Sequence, residues 1–368
     1  MYLKHLKLTN FKSYEEAEFS FDENVNAIVG RNGSGKTNLL DAIYYLSFCK
    51  SYFAAQDVYS VRFDTDFFAI HGEFVQRETQ NHTQVSCTYR NGHKSVRANK
   101  KEYPRLSAHI GLFPAVMVSP YDSDIINEVS DTRRRFFDTI ISQFDAEYLQ
   151  HLIAYRKLLM QRNALLKQML ESHHSDIELL RILDEQMIPL GHQIFSCRQA
   201  FIEDVIPVFQ RHYNQLSNGS EEVSIQYKSG LQTATYAEGL QQTAQSDLHS
   251  GFTNFGVHKD DYLFFINGQP IRRFGSQGQQ KSFSLALRLA QFDYSCMRKK
   301  VKPILLLDDI FDKLDKNRIS ELLKMVGDDH FGQVFLTDTD ENRVRQILSE
   351  YGIQHQIVEI KESLNDEL

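Results

Sequence analysis

Residues 30–37 read Gly-Arg-Asn-Gly-Ser-Gly-Lys-Thr, with Gly30, Gly35, Lys36 and Thr37 at the four constrained positions of a P-loop. The octet follows the apolar run Val25–Val29, which reads as a strand, and opens into Asn38–Phe48, which reads as a helix. Glycines let the backbone curl so that successive N–H groups converge on a phosphate, and a helix N-terminus adds partial positive charge there. The pattern therefore predicts a nucleoside triphosphate cradled by Gly30, Arg31, Asn32, Gly33, Ser34, Gly35, Lys36 and Thr37. Lys36 reaches for the β- and γ-phosphates, and the Thr37 hydroxyl takes one position on Mg²⁺.

Downstream, Ile304–Leu307 followed by Asp308 and Asp309 reads as a Walker B strand. A buried parallel strand delivers its terminal carboxylate to the sheet edge, so Asp308 is the expected second magnesium residue. Asp309 stands where ATPases of the ABC class place the carboxylate that polarises the attacking water, usually a glutamate. About thirty residues earlier, Ser276-Gln277-Gly278-Gln279 resembles the Ser-x-Gly-Gln core of the ABC signature at the start of a helix. A serine hydroxyl and glycine amides in that position form a second anion site. In the ABC class that site presses on the γ-phosphate held by the partner subunit, which assigns Ser276, Gly278 and Gln279 to the nucleotide and Ser276, with Lys36 and Asp309, to catalysis. Residues 311–315 fall where the class has its D-loop, and Val334–Thr337 with Asp338-Thr339-Asp340 where it has its γ-phosphate switch. The usual switch histidine is absent, leaving Thr337 or Thr339 to replace it.

The chain has 368 residues, 42% hydrophobic and 24% charged, a composition that excludes a disordered or fibrous protein and suits two globular domains. Its net charge of −7 leaves room for a local basic face. No stretch approaches membrane-spanning length, the N-terminus reads as a charged strand rather than a signal peptide, and the location implied is cytoplasmic. Cys49, Cys87, Cys197 and Cys296 are scattered and read as small core residues in a reducing compartment.

The first hundred residues are strand-rich, and Asn91-Gly92 and Asn267-Gly268 mark tight hairpins. The second hairpin is expected to pair 262–266 with 271–274. From about Asp131 to Ser217 the period turns helical, with stripes through Leu149, Leu152, Leu159 and Leu166, then Leu183, Met187, Leu190, Ile194, Cys197, Phe201, Val205 and Val208. Pro189 and Pro207 are expected to kink or end the second helix. Residues 217–256 read as loops around one or two strands. The resulting fold is α/β: an ABC-type P-loop ATPase head, split into residues 1–128 and 250–368, with an inserted helical arm domain at 129–249.

Taken together these segments resemble the RecF family, the recombination mediators within the chromosome-maintenance branch of ABC ATPases. Asn10-Phe11-Lys12-Ser13-Tyr14 is similar to the N-terminal motif of that branch, whose basic residue, here Lys12, lies near the nucleotide. Residues 132–138, with Arg133, Arg134 and Arg135, resemble the family's arginine cluster, and 161–167 and 184–186 its arm helices. Gly256-Val257-His258-Lys259-Asp260-Asp261 resembles a Gly-Pro-His-Arg-Asp-Asp motif with two substitutions. Ser119-Pro120-Tyr121-Asp122 departs from the family's Pro-Glu-Asp in the Q-loop region, so no glutamine ligand is assigned and the part played by Asp122 is open. The resemblance implies a weak, DNA-stimulated ATPase that dimerises on ATP and Mg²⁺. It also implies binding to single-stranded, gapped or linear duplex DNA, work with RecO and RecR in loading recombinase, and a role in SOS induction.

Candidate phosphate contacts for DNA are Lys94, Arg97, Lys100, Lys101 and Arg105 on and after the first hairpin, Arg133, Arg134 and Arg135, and the run 298–302. Without a helix-turn-helix, zinc finger or stacking motif, binding should be indifferent to base sequence. A transporter-energising ABC subunit would carry a standard Leu-Ser-Gly-Gly-Gln and a switch histidine, and a small-molecule phosphotransferase would lack the signature. An ATP-gated clamp with negligible turnover stays open, because Asp309 is shorter than the usual glutamate.

Overall fold

The computed structural model describes residues 1–172, 176–313, 316–328 and 330–360, in two compact units. One unit comprises residues 1–122 and 281–368, the other 123–280.

In the first unit a five-stranded parallel sheet has the order His355–Glu359, Val25–Val29, Val334–Asp338, Ile304–Leu307, Ala115–Val118. The P-loop strand thus neighbours the switch strand, which neighbours the Walker B strand, and all three end on the same edge. The middle strands are buried throughout, as expected where a parallel sheet is covered on both faces. A six-stranded antiparallel sheet contains Tyr2–Phe11, Tyr14–Ser20 and Phe67–Val75, and continues through the hairpin His82–Arg90 and His93–Ala98. Asn91 (φ 48°) and Gly92 (φ 84°) hold that hairpin's turn in the left-handed region. Helix Lys36–Phe48 touches strands of both sheets, and its Leu39, Ile43 and Tyr45 share one hydrophobic core with Leu6, Phe68, Ile304 and Phe335. Buried Gln333 ties the sheets by accepting from Leu3 N (2.7 Å) and donating to the carbonyls of Leu3 and Asp22 (2.8 Å each).

The second unit contains helices Ser130–Phe144, Ala146–Ser172, Ile177–Ser217 and Tyr236–Ser250 and a three-stranded antiparallel sheet. The expected domain boundary at residue 250 lies instead at 280–281. Strand Asp261–Ile266 pairs with Val223–Lys228, which holds the segment after Ser250 within the second unit. Three further expectations are corrected. Helix Ile177–Ser217 does not end at Pro189 or Pro207 but continues past both, because the apolar stripe from Leu183 to Val208 keeps packing and outweighs two lost hydrogen bonds. Residues 271–274 form a short helix, and only Gln269–Pro270 pairs beyond the Asn267-Gly268 turn. Residues 217–256 contain helix Tyr236–Ser250, started by a capping box between Thr235 and Glu238. Cys49 and Cys87 are buried, whereas Cys197 and Cys296 are half-buried. Among the described residues no helix is long and apolar enough to cross a membrane.

Candidate functional site: a phosphate cradle with two carboxylates

The site forms where strand Val25–Val29 ends and helix Lys36–Phe48 begins. Gly35 adopts φ 104°, and a Cβ there would meet Ser13 Oγ at 2.9 Å and Tyr14 OH at 3.1 Å. Only glycine fits both the conformation and the space. Tyr14 OH donates to the Gly35 carbonyl (3.0 Å), so the turn at Lys12-Ser13 braces the loop from outside. Lys36 Nζ donates to the carbonyls of Gly30 (2.8 Å) and Arg31 (2.9 Å), which keeps its charge folded over the loop. Ser34 Oγ is buried without a hydrogen-bond partner among the described residues. An unsatisfied hydroxyl and a lysine ammonium within one cradle suit a polyanion.

The Walker B carboxylate comes to the same place. Thr37 Oγ1 donates to Asp308 Oδ1 at 3.0 Å, and Thr337 Oγ1 lies 3.0 Å from the same oxygen. Asp309 N donates to Thr337 Oγ1 (2.8 Å) while Asp309 itself sits at φ 47°, a left-handed conformation uncommon outside glycine. The strand order explains the meeting, because Thr337 lies between the P-loop strand and the Walker B strand at their carboxyl ends. Burial pushes the Asp308 carboxyl above its ordinary value, the neighbouring Asp309 adds to the rise, and Thr37, Thr337 and Lys36 oppose it. A buried carboxylate in that state, with a threonine hydroxyl 3.0 Å away, is a fitting donor set for a magnesium ion. Of the two expected switch residues, Thr337 bridges the Walker B carboxylates, and Thr339 lines a cavity of about 370 Å³ with Gly30 and Arg31.

Lys12 occupies a left-handed turn position (φ 50°) and pairs with fully buried Asp41 on the P-loop helix at 2.6 Å. Asp41 also accepts from Ser51 Oγ (2.6 Å) and Tyr52 N (2.7 Å). The question left open at Asp122 is answered by the same neighbourhood. Tyr52 OH donates to Asp122 Oδ1 (2.6 Å), and the buried Arg288 guanidinium pairs with both carboxylate oxygens. Asp122 is thus consumed by an internal network, which motif reading had no means of finding.

Ser276, Gly278 and Gln279 belong to the second unit. Ser276 Oγ accepts from Gln279 N (3.2 Å) and Gln279 Oε1 accepts from Ser276 N (2.6 Å), a reciprocal cap on helix Gln277–Lys299. Gln279 Nε2 reaches Glu221 (2.7 Å). Of the D-loop segment, Leu314 and Asp315 lie outside the described residues.

The basic candidates divide. Arg133 grips Asp261 (2.7 and 3.0 Å) and the Glu128 carbonyl, and Arg134 donates to the Asp260 carbonyl (2.7 Å). Both guanidiniums are engaged inside the unit, whereas Arg135 is exposed with Asp131 beside it. Lys94 is likewise spent on Asp57 and the Cys49 carbonyl. Arg97, Lys100, Lys101 and Arg105 are exposed.

A parallel sheet presenting a P-loop, an aspartate pair and a bridging threonine on one edge defines a P-loop nucleotide-binding head, and the Ser276-Gln277-Gly278-Gln279 segment ahead of the Walker B strand in sequence marks it as the ABC type. Comparison with known proteins narrows this. Residues 2–110 match the family model described as RecF/RecN/SMC N terminal domain. The DNA replication and repair protein RecF of Flavobacterium johnsoniae is 44% identical over 95% of this chain and 97% of its own length. The protein of the same name from Bacteroides thetaiotaomicron is 42% identical over 100% and 99%. The chain belongs to the RecF family of DNA replication and repair proteins. Among solved structures, the recombination mediator protein RecF-ATPrS in the RecFOR pathway superposes with a TM-score of 0.87 at 30% identity, covering 98% of this chain and 96% of that one. The Smc head domain from Pyrococcus furiosus, 16% identical with a TM-score of 0.56, shares the fold.

Proposed function

We propose that this chain binds ATP with Mg²⁺, closes as an ATP-dependent homodimer, and in that state binds single-stranded, gapped or linear duplex DNA through its backbone. In this reading it is a weak, DNA-stimulated ATPase in the cytoplasm that helps load recombinase with RecO and RecR and contributes to SOS induction. The observation that carries the proposal is the meeting of Thr37, Asp308 and Thr337 beside the Gly30–Thr37 cradle. RecF bound to ATP or to ATPrS, at 30–31% identity, supports the nucleotide.

Bound ATP would supply the phosphoanhydride bond that water attacks. The chain's own residues do the positioning. Gly30–Thr37 present backbone donors, Lys36 concentrates positive charge, and Thr37 with Asp308 hold the cation. Asp309, its backbone fixed by Thr337, is the proton acceptor for the attacking water. Ser276 and Gly278 of a second copy complete each site, which makes two equivalent sites in one isologous dimer.

The test is single-turnover hydrolysis by the full chain, with and without gapped DNA, beside Lys36→Arg. That variant should retain part of its ATP binding and lose hydrolysis, because a planar fork replaces a compact ammonium. Turnover equal to the wild type would contradict the assignment of Lys36. Stoichiometric binding without DNA-stimulated turnover in the wild type would favour the ATP-gated clamp instead.

A further inference from the structure

We propose that a groove in the second unit is a docking site for an acidic peptide segment of a partner protein, with an apolar side chain of that segment seated in the groove. The cavity measures about 230 Å³ and is lined by Ile126, Leu263, Phe265, Pro270, Arg272 and Arg273, among others. That is smaller than the roughly 300–1,000 Å³ of small-molecule sites and suits one or two side chains. Its floor follows from strand alternation. Tyr262, Phe264 and Ile266 are buried, leaving Leu263 and Phe265 half-buried on the other face of Asp261–Ile266.

The rim carries the charge. Arg272 and Arg273, on the short helix Ile271–Phe274, are exposed, and neither has an ion pair among the described residues. Arg133, which lines the same cavity, is by contrast neutralised by Asp261. The exposed Arg90, Arg97 and Arg135 each face a carboxylate as well. On a chain of net charge −7, two adjacent unpaired guanidiniums bounding an apolar floor reverse the local sign and complement a carboxylate-rich segment. Phe274, 64% exposed, extends the apolar surface beyond them. Strand addition is disfavoured at this edge because Pro270 has no N–H to donate, so recognition runs through side chains. A nucleic acid would use the arginines but has no need of the Leu263/Phe265 floor.

The experiment is fluorescence anisotropy with the full chain, without nucleotide, and a fluorescein-labelled Glu-Asp-Phe-Glu-Asp-Phe-Glu peptide at physiological salt. Saturable binding is expected. It should weaken by about tenfold or more when the peptide's phenylalanines become serines, and by a similar factor in the double variant Arg272→Glu, Arg273→Glu. The double variant should in turn bind the counterpart peptide with lysine at every acidic position, which shows that the groove is still folded. Absence of binding overturns the proposal, as does binding indifferent to either change. Displacement of the peptide by an equimolar oligothymidine assigns the groove to nucleic acid and also overturns it.

Discussion

At the scale of single residues the site turns on Asp308, a buried carboxylate held above its ordinary value by desolvation. An acid whose folded value is raised stabilises the fold fully below its unfolded value and loses that contribution as pH rises through the folded one. At neutral pH the nucleotide-free chain therefore carries a cost that bound cation would relieve. Asp308→Asn removes the charge and keeps an acceptor for Thr37. It should melt at a higher temperature than the wild type without nucleotide and gain little from ATP with Mg²⁺. The wild type should gain about 2.7 kcal/mol at a hundredfold excess over Kd. A variant that melts lower yet responds like the wild type would contradict the magnesium role of Asp308. The residues proposed for this site were legible because Gly35, Lys36 and Thr37 sit at spacings that phosphate binding dictates and Asp308 ends an apolar strand. The fates of Lys12 and Asp122 were not, since their partners Asp41 and Arg288 are set by packing rather than spacing.

Among the elements, the helices of the second unit are joined by buried polar groups. Arg162, on Ala146–Ser172, reaches Asp184 (2.6 Å) on the following helix and Asp247 (2.8 Å) on Tyr236–Ser250. Tyr155 OH meets Tyr236 OH (2.6 Å) and His258 Nδ1 (2.8 Å), while His258 Nε2 lies 3.0 Å from the Thr253 carbonyl. Burial pushes the His258 imidazole down to about 4. Here the sign runs the other way from Asp308. Between about 6.5 and 4 the unfolded chain takes the proton first, so stability is present above that window and falls with pH within it. A full shift of that size is on the order of 3 kcal/mol. Denaturant titrations of the wild type and His258→Asn across this range should show a steeper loss in the wild type. Parallel profiles would remove His258 from the account. The hairpin at Asn91-Gly92 was legible because two residues determine the turn locally. Helix Tyr236–Ser250 was also marked locally, by the Thr235-x-x-Glu238 box, but its polar composition masks the signal. Passage of a helix through Pro189 was not legible, since it depends on partners distant in sequence.

For the whole molecule, the split head could be anticipated from a P-loop near residue 30 and a Walker B strand near residue 305. The second boundary could not, because only the pairing of Asp261–Ile266 with Val223–Lys228 shows which unit claims the intervening chain. The central claim is that two chains clasp ATP between Lys36 and Thr37 of one and Ser276 and Gly278 of the other. In the single chain Ser276 caps its own helix, so a useful variant must keep the cap while spoiling an anion site. Ser276→Asp does both, because aspartate is an equally good N-cap and its charge repels a phosphate. Each charge-assisted hydrogen bond to phosphate contributes roughly 1.5–3 kcal/mol, and the dimer loses one at each of two sites. The deciding measurement is sedimentation velocity with ATP and Mg²⁺. The account predicts that the wild type dimerises, while Ser276→Asp binds ATP yet stays monomeric, its dimer affinity reduced by about a hundredfold or more. Normal dimerisation of the variant, or a wild type that never dimerises, would contradict it.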